Sequence, residues 1–300
     1  MTTIAFIGLG HMGGPMAANL ARAGHRVLGF DLMPESLETA KGNGIEIAES
    51  GEQAAAAAEV VITMLPAGKH VIAAYGSAER QGLLAAAKPG TLFIDCSTIA
   101  VDESQQAAAA AVAAGHRALD APVSGGVVGA EAGTLAFMVG GDERDFEEGR
   151  PLLEIMGRRV VHCGGSGLGQ AAKVCNNMIL AISQIAVAEG FVLGEKLGLS
   201  HQALFDVVSN ASGQCWAIST NCPVPGPVPT SPANNDYKPG FAGALMDKDL
   251  GLAEQALELA GVDAKMGMLA RRMYADFVAG GGAGTDFSGI INTIREASRS

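Results

Sequence analysis

IAFIGLGHMGGPMAANL, residues 4–20, decides the fold. Its opening, Ile4 to Ile7, is apolar and suited to a buried strand, and an alanine-rich segment with helical periodicity begins near Met12. Between them stand Gly8, Gly10 and Gly13 at the spacing G-x-G-x-x-G. Glycines there allow a tight turn from strand to helix and let a pyrophosphate reach the backbone N–H groups at the helix start. The next apolar run, HRVLGFD, ends in Asp31, close to where such a site places the acid that binds the ribose hydroxyls. The stretch therefore predicts a dinucleotide site formed by Gly8, Leu9, Gly10, His11, Met12, Gly13 and Asp31. A carboxylate accepts ribose hydroxyls and repels a 2′-phosphate, so NAD is expected over NADP. A plain glycine turn with Asp31 as a cap is the competing reading.

Outward from this stretch, VVITMLP, TLFIDCST, HRALDAPVS, LAFMVGG and VVHCG read as further strands, most of them separated by helical segments. Strands alternating with helices predict an α/β fold with a doubly wound, mostly parallel sheet. After HCGGSGLG the pattern changes to one long apolar helix, about residues 169–197. Nearly everything beyond it reads as helical, apart from a proline-rich loop from Pro223 to Pro239. The expected organisation is a Rossmann-type domain over residues 1–164 and an all-helical domain over 165–300.

Composition narrows the function. A net charge of -11 and a pI near 5.0 argue against nucleic acid as a partner, since phosphate binding needs a basic field. Five cysteines lie far apart, with no C-x-x-C and no histidine at ligand spacing, so reduced thiols in a cytoplasmic protein and no metal are expected. The N-terminus lacks the pattern of a secretory signal. The apolar run 178–194 is interrupted by Ser183, Gln184 and Glu189, which argues against a membrane span.

Two further stretches carry chemistry. DAPVSGG, residues 120–126, ends a strand with Ser124, Gly125 and Gly126, whose hydroxyl and backbone N–H groups could cradle a small carboxylate or could simply form a turn. GQAAKVCNNMILAIS, residues 169–183, places Lys173 alone on an apolar helix with Asn177 one turn later on the same face. A buried ammonium is costly, so Lys173 either snorkels to water or has a chemical task.

IAFIGLGHMGGPMAANL, DAPVSGGVVGAEAGTLAFMVGG, GLGQAAKVCNN and LMDKDLGLA together resemble four successive signatures of the beta-hydroxyacid dehydrogenase family, in order and in register from about residue 4 to residue 290. SGQCWAIST and the PVPGPVPTSPANNDYKPGF insertion are most similar to its 3-hydroxyisobutyrate dehydrogenases. The resemblance implies a Rossmann-type domain and an all-helical domain joined by a long interdomain helix, with the active site in the cleft between them. It also implies that Lys173 is the catalytic lysine, that Asn177 orients the substrate, and that Ser124, Gly125 and Gly126 hold the substrate carboxylate. Trp216 and Phe241 would line the pocket, and Leu65, Pro66, Thr98 and Lys248 would contact the cofactor, while the role of Asp249 stays open.

The expected reaction is NAD-dependent oxidation of 3-hydroxyisobutyrate to methylmalonate semialdehyde, a step of valine catabolism. Desolvation lowers a lysine's pKa toward the working range, so Lys173 can serve as acid/base without a metal. Where many relatives read W…Y-N-P-x-P-G, this chain has Asn221 and Cys222 in WAISTNCPVPG, which removes one expected aromatic wall. That leaves 3-hydroxypropionate, serine and glycerate or tartronate semialdehyde as alternative small anionic substrates. A non-catalytic dinucleotide-binding protein is disfavoured by the joint presence of Lys173, Asn177 and Ser124, and an imine-reducing relative by Lys173 itself. A long helix apolar on all faces also predicts a homodimer or homotetramer.

Overall fold

A computed structural model describes residues 1–76 and 82–298. The chain forms two compact units, Met1–Lys173 and Val174–Ser300.

Among the described residues the first unit carries nine strands, β1 (Thr3–Ile7), β2 (Arg26–Phe30), β3 (Glu46–Ile47), β4 (Val60–Thr63), β5 (Leu92–Asp95), β6 (Arg117–Asp120), β7 (Val123–Ser124), β8 (Leu135–Gly141) and β9 (Gly157–Gly164). Its helices are α1 (Gly13–Arg22), α2 (Pro34–Gly42), α3 (Gly51–Ala57), α4 (Gly68–Tyr75), α5 (Leu83–Ala86), α6 (Val101–Ala113), α7 (Gly126–Ala132) and α8 (Glu143–Met156). The sheet order is β3-β2-β1-β4-β5-β6-β8-β7, with β9 also paired to β8. From β3 to β6 every pairing is parallel, and the chain reverses direction at β6–β8 and β7–β8. Strand order therefore switches on either side of β1, and in such sheets ligands bind beyond the strand C-terminal ends at the switch.

Alternation within the strands explains the two layers of helices. Ile4 and Phe6 of β1 pack with Met16 and Leu20 of α1 and Phe146 and Leu153 of α8. Ala5 and Ile7 face the other way, into a cluster with Ala54 of α3, Val71 of α4 and Ala107 of α6. With both faces covered, the strands are nearly continuously apolar, which is why they were legible as strands. β3 has two residues and carries too little pattern to stand out, and the run HRALDAPVS, read as one strand, divides into β6 and the two-residue β7.

Helix α9 (Leu168–Lys196) begins in the first unit and ends in the second. It is long and apolar enough to cross a membrane by length and composition alone, a property shared by core helices, and half of its most apolar window is buried within the chain. Ala181, Ile185 and Ala188 are buried, whereas Ile179 and Leu193 are exposed. The rest of the second unit is α10 (His201–Val208), α11 (Trp216–Ser219), α12 (Gly243–Ala260), α13 (Lys265–Ala279), α14 (Ile290–Ala297) and short 3-10 turns, around cores centred on Phe191 and Tyr274.

Candidate active site

The turn from β1 to α1 has the form its glycines require. Gly8 has φ +95°, and an added Cβ would lie 2.2 Å from the Met64 carbonyl oxygen. At Gly13 it would lie 1.9 Å from the Gly8 oxygen, whereas at Gly10 it would meet nothing. Gly8 thus makes the turn, Gly13 brings the helix close to the turn, and Gly10 leaves an open approach, which is the division of labour a pyrophosphate-binding turn needs. Gly10 and His11 are exposed and Met12 half-buried, while the Leu9 side chain is 3 % exposed in the core. Leu9 offers only its backbone.

Asp31 locks this turn. Its Oδ2 accepts from the Leu9 N–H at 2.6 Å and its Oδ1 from the Met33 N–H at 2.8 Å. Each carboxylate oxygen has a second lone pair for a ribose hydroxyl. The open cradle at Gly10 with an acid at the end of β2 fits a dinucleotide.

Beside the turn, the ends of β4 and β5 are tied together. Thr63 Oγ1 donates to Asp95 Oδ1 at 2.7 Å, Ser97 Oγ donates to the same oxygen at 2.6 Å, and the Leu65 N–H donates to Ser97 Oγ at 2.8 Å. The candidate cofactor residues Leu65 and Thr98 therefore flank a buried network. Asp95 Oδ2 is buried with no partner among the described residues. Burial pushes the Asp95 carboxyl up to about 6 against the opposing pull of the Ser97 and Thr63 bonds, and neighbouring Asp120 adds to the rise.

Asp120 follows directly in register, opposite Asp95 across β5–β6. Its Oδ1 accepts from the Gly167 N–H at 2.7 Å and its Oδ2 from the Gln170 N–H at 2.9 Å. Four residues on, Ser124 is half-buried, and the glycines after it have φ +133° (Gly125) and +62° (Gly126), values that favour glycine. Such a turn can present successive N–H groups to a carboxylate.

Lys173, 6 % exposed, lies near the start of α9, and Asn177, 2 % exposed, is one turn further on. In the second unit the Asn177 Nδ2 donates to Asp249 Oδ2, whose residue lies on α12 next to Lys248. Asp249, left open by the sequence, holds the amide of Asn177. Phe241 is half-buried against Phe287, and its N–H donates to Asp286 Oδ2 at 3.1 Å. Trp216, at the start of α11, is half exposed.

Asn221 and Cys222 are buried, not surface residues: Asn221 Nδ2 donates to Asp286 Oδ1 at 3.2 Å. The same carboxylate accepts from the Gly240 and Phe241 N–H groups, so Asn221 acts on the loop that carries Phe241. Asp95, Asp120 and Gln170 were missed as participants. Asp120 stands inside the quoted DAPVSGG, but nothing local says that its carboxylate reaches a helix beginning nearly fifty residues later.

Comparison with known proteins identifies the family. A family model for the NAD binding domain of 6-phosphogluconate dehydrogenase matches residues 3–165, and one described as NAD-binding of NADP-dependent 3-hydroxyisobutyrate dehydrogenase matches residues 167–294. A probable 3-hydroxyisobutyrate dehydrogenase of Mycobacterium tuberculosis is 58% identical over 295 residues, 98% of each chain. An NAD-dependent L-serine dehydrogenase of Pseudomonas aeruginosa is 46% identical over 288 residues, 96% of each. The solved structure of Mycobacterium tuberculosis 3-hydroxyisobutyrate dehydrogenase with L-serine superposes with a TM-score of 0.94 at 58% identity, covering 98% of this chain and 99% of that one. The chain accordingly belongs to the beta-hydroxyacid dehydrogenase family, is most similar within it to the 3-hydroxyisobutyrate dehydrogenases, and is an NAD(P)-dependent hydroxyacid dehydrogenase.

Proposed function

We propose that the protein oxidises 3-hydroxyisobutyrate to methylmalonate semialdehyde with NAD, as a step of valine degradation in the cytoplasm, and that Lys173 is its acid/base. The observation that carries the reading is a lysine only 6 % exposed near the start of α9, the one Asp, Glu, Lys or Arg side chain between Arg159 and Glu189, with Asn177 one turn away. Burial disfavours the ammonium, and the neutral amine is the form that can take a proton from the substrate's 3-hydroxyl at Nζ. NAD, when bound, accepts the hydride from the carbinol carbon. Ser124 Oγ and the Gly125 and Gly126 N–H groups hold the carboxylate, and Asn177, itself held by Asp249, orients the hydroxyl. Trp216 and Phe241 bound the substrate, while Pro66, Leu65, Thr98 and Lys248 steady the cofactor. In the reducing direction Lys173 returns the proton.

L-Serine is the second substrate reading, because it too is a small 3-hydroxyacid and because one relative is an L-serine dehydrogenase. Buried Asn221 and Cys222 favour a pocket whose walls are set by Phe241 and Trp216, with no tyrosine added. The exposed apolar stripe of α9, with Ile179 62% and Leu193 60% exposed, supports self-association as a dimer or tetramer.

The test is a panel of 3-hydroxyisobutyrate, L-serine, 3-hydroxypropionate, glycerate and isobutanol, run with wild type and Lys173→Met. The variant should bind NAD and lose turnover by about 100-fold or more, the scale of general acid–base catalysis. More than about a tenth of wild-type activity in the variant would rule out the catalytic lysine.

A further inference from the structure

We propose that Asp120 and Gln170 are positioning residues for the reaction: together they fix the start of α9, and with it Lys173, to the strand ends that lead to Thr98 and Ser124. The inference rests on the reading of Lys173 as acid/base.

The first turn of a helix has N–H groups without intrahelical partners, and a nearby anion stabilises them. The first turn of α9 contains no acidic residue of its own. Asp120, 2 % exposed at the end of β6, supplies the carboxylate from a distance of 47 to 50 residues in sequence, one oxygen on the Gly167 N–H and the other on the Gln170 N–H. The surroundings are shaped to this carboxylate. A Cβ added at Gly140 would lie 2.4 Å from Asp120 Oδ1, and one added at Gly169 would lie 2.7 Å from Asp120 Oδ2. Two-point attachment fixes both where the helix starts and its rotation about its axis.

Gln170 extends the attachment to the next strand. Its side chain is fully buried, its Oε1 accepts from the Ile99 N–H at 3.2 Å, and its Nε2 donates to the Ser97 carbonyl at 2.7 Å. Thr98 lies between those two backbone groups and is bracketed by one amide. Lys173 is three residues after Gln170, about one helical turn, and Ser124 is four residues after Asp120 along an extended segment. The segments assigned to cofactor, carboxylate and proton transfer thus converge on two side chains.

Asp120→Asn keeps the size and replaces one acceptor with an amide N that faces an N–H donor. In the full-length protein it should leave the NAD dissociation constant, measured by calorimetry, within about twofold while lowering kcat on the order of 10–100-fold, the scale of a misplacement near 1 Å. The primary deuterium isotope effect with substrate labelled at the carbinol carbon should rise, because hydride transfer becomes slower relative to release. A folded Asp120→Asn protein with kcat and isotope effect as in wild type would overturn the proposal, as would a fall in activity that only tracks the fraction unfolded. Should that variant not fold, Gln170→Met frees the Thr98 segment and should show the same fall in kcat, now with weaker NAD binding; unchanged values there would also overturn it. Lys173→Met is measured alongside. If it stays active, the acid/base reading fails, whereas an inactive Lys173→Met beside a normal Asp120→Asn sinks only the positioning role.

Discussion

Asp95→Asn should make the protein less sensitive to rising pH. Asp95 is buried, its Oδ2 has no partner among the described residues, and its carboxyl is raised from 3.8 to about 6 chiefly by burial. Between those values the native state holds a proton that the unfolded chain has released, so stability falls as pH rises through the window and the loss is complete above about pH 6. The separation of roughly two pH units, at about 1.36 kcal/mol each, is about 3 kcal/mol. Asparagine never ionises, and its amide oxygen can keep the Thr63 and Ser97 donors that now point at Oδ1. With about 2.1 cal/mol/K of unfolding entropy per residue, 3 kcal/mol is about 5 °C for the whole chain, or about 8 °C if the first unit melts by itself. The assay is thermal unfolding of both proteins from pH 4.5 to 8, read as the difference in Tm at each pH so that groups common to both cancel. The variant should gain on wild type across pH 4.5 to 6.5 and hold its advantage above. A constant difference, or one that moves toward wild type as pH rises, would refute the burial argument for Asp95.

Asp31→Asn should narrow the preference for NAD over NADP in kcat/KM, since it removes the charge opposed to a 2′-phosphate; equal efficiency of wild type with both cofactors would rule the assignment out. Ser124→Ala should chiefly raise KM for the hydroxyacid, on the order of tenfold for one lost hydrogen bond to a charged group, with KM for NAD nearly unchanged. An effect confined to the NAD constant would remove Ser124 from the carboxylate site. Ile179→Glu combined with Leu193→Glu places charge on the exposed stripe of α9 and should lower the assembled mass in sedimentation; an unchanged mass would place any interface elsewhere.

The sequence determined what depends on near neighbours. Strands buried on both faces are nearly continuously apolar, so β1, β2, β4, β5 and β8 were visible as runs. The glycine turn was visible because Gly8 and Gly13 must be glycine where they stand, against the Met64 and Gly8 oxygens. Lys173 drew notice because a charge in an apolar helix violates local expectation. By contrast, β3 is two residues long and forms only because a neighbouring strand offers it an edge, and the break between β6 and β7 shows only where each pairs separately with β8. Asn221 looked like a lost pocket wall, yet a carboxylate 65 residues away, on Asp286, draws its amide into the interior. Asp120 read as one residue of the HRALDAPVS strand, and only the folded chain brings it to the N–H groups of Gly167 and Gln170. Periodicity and turn chemistry are short-ranged, so the chain announces its elements and the residues that break their rules. A buried hydrogen bond between distant segments leaves no mark on the residues around either partner, and it takes its meaning from the packing that shuts out water.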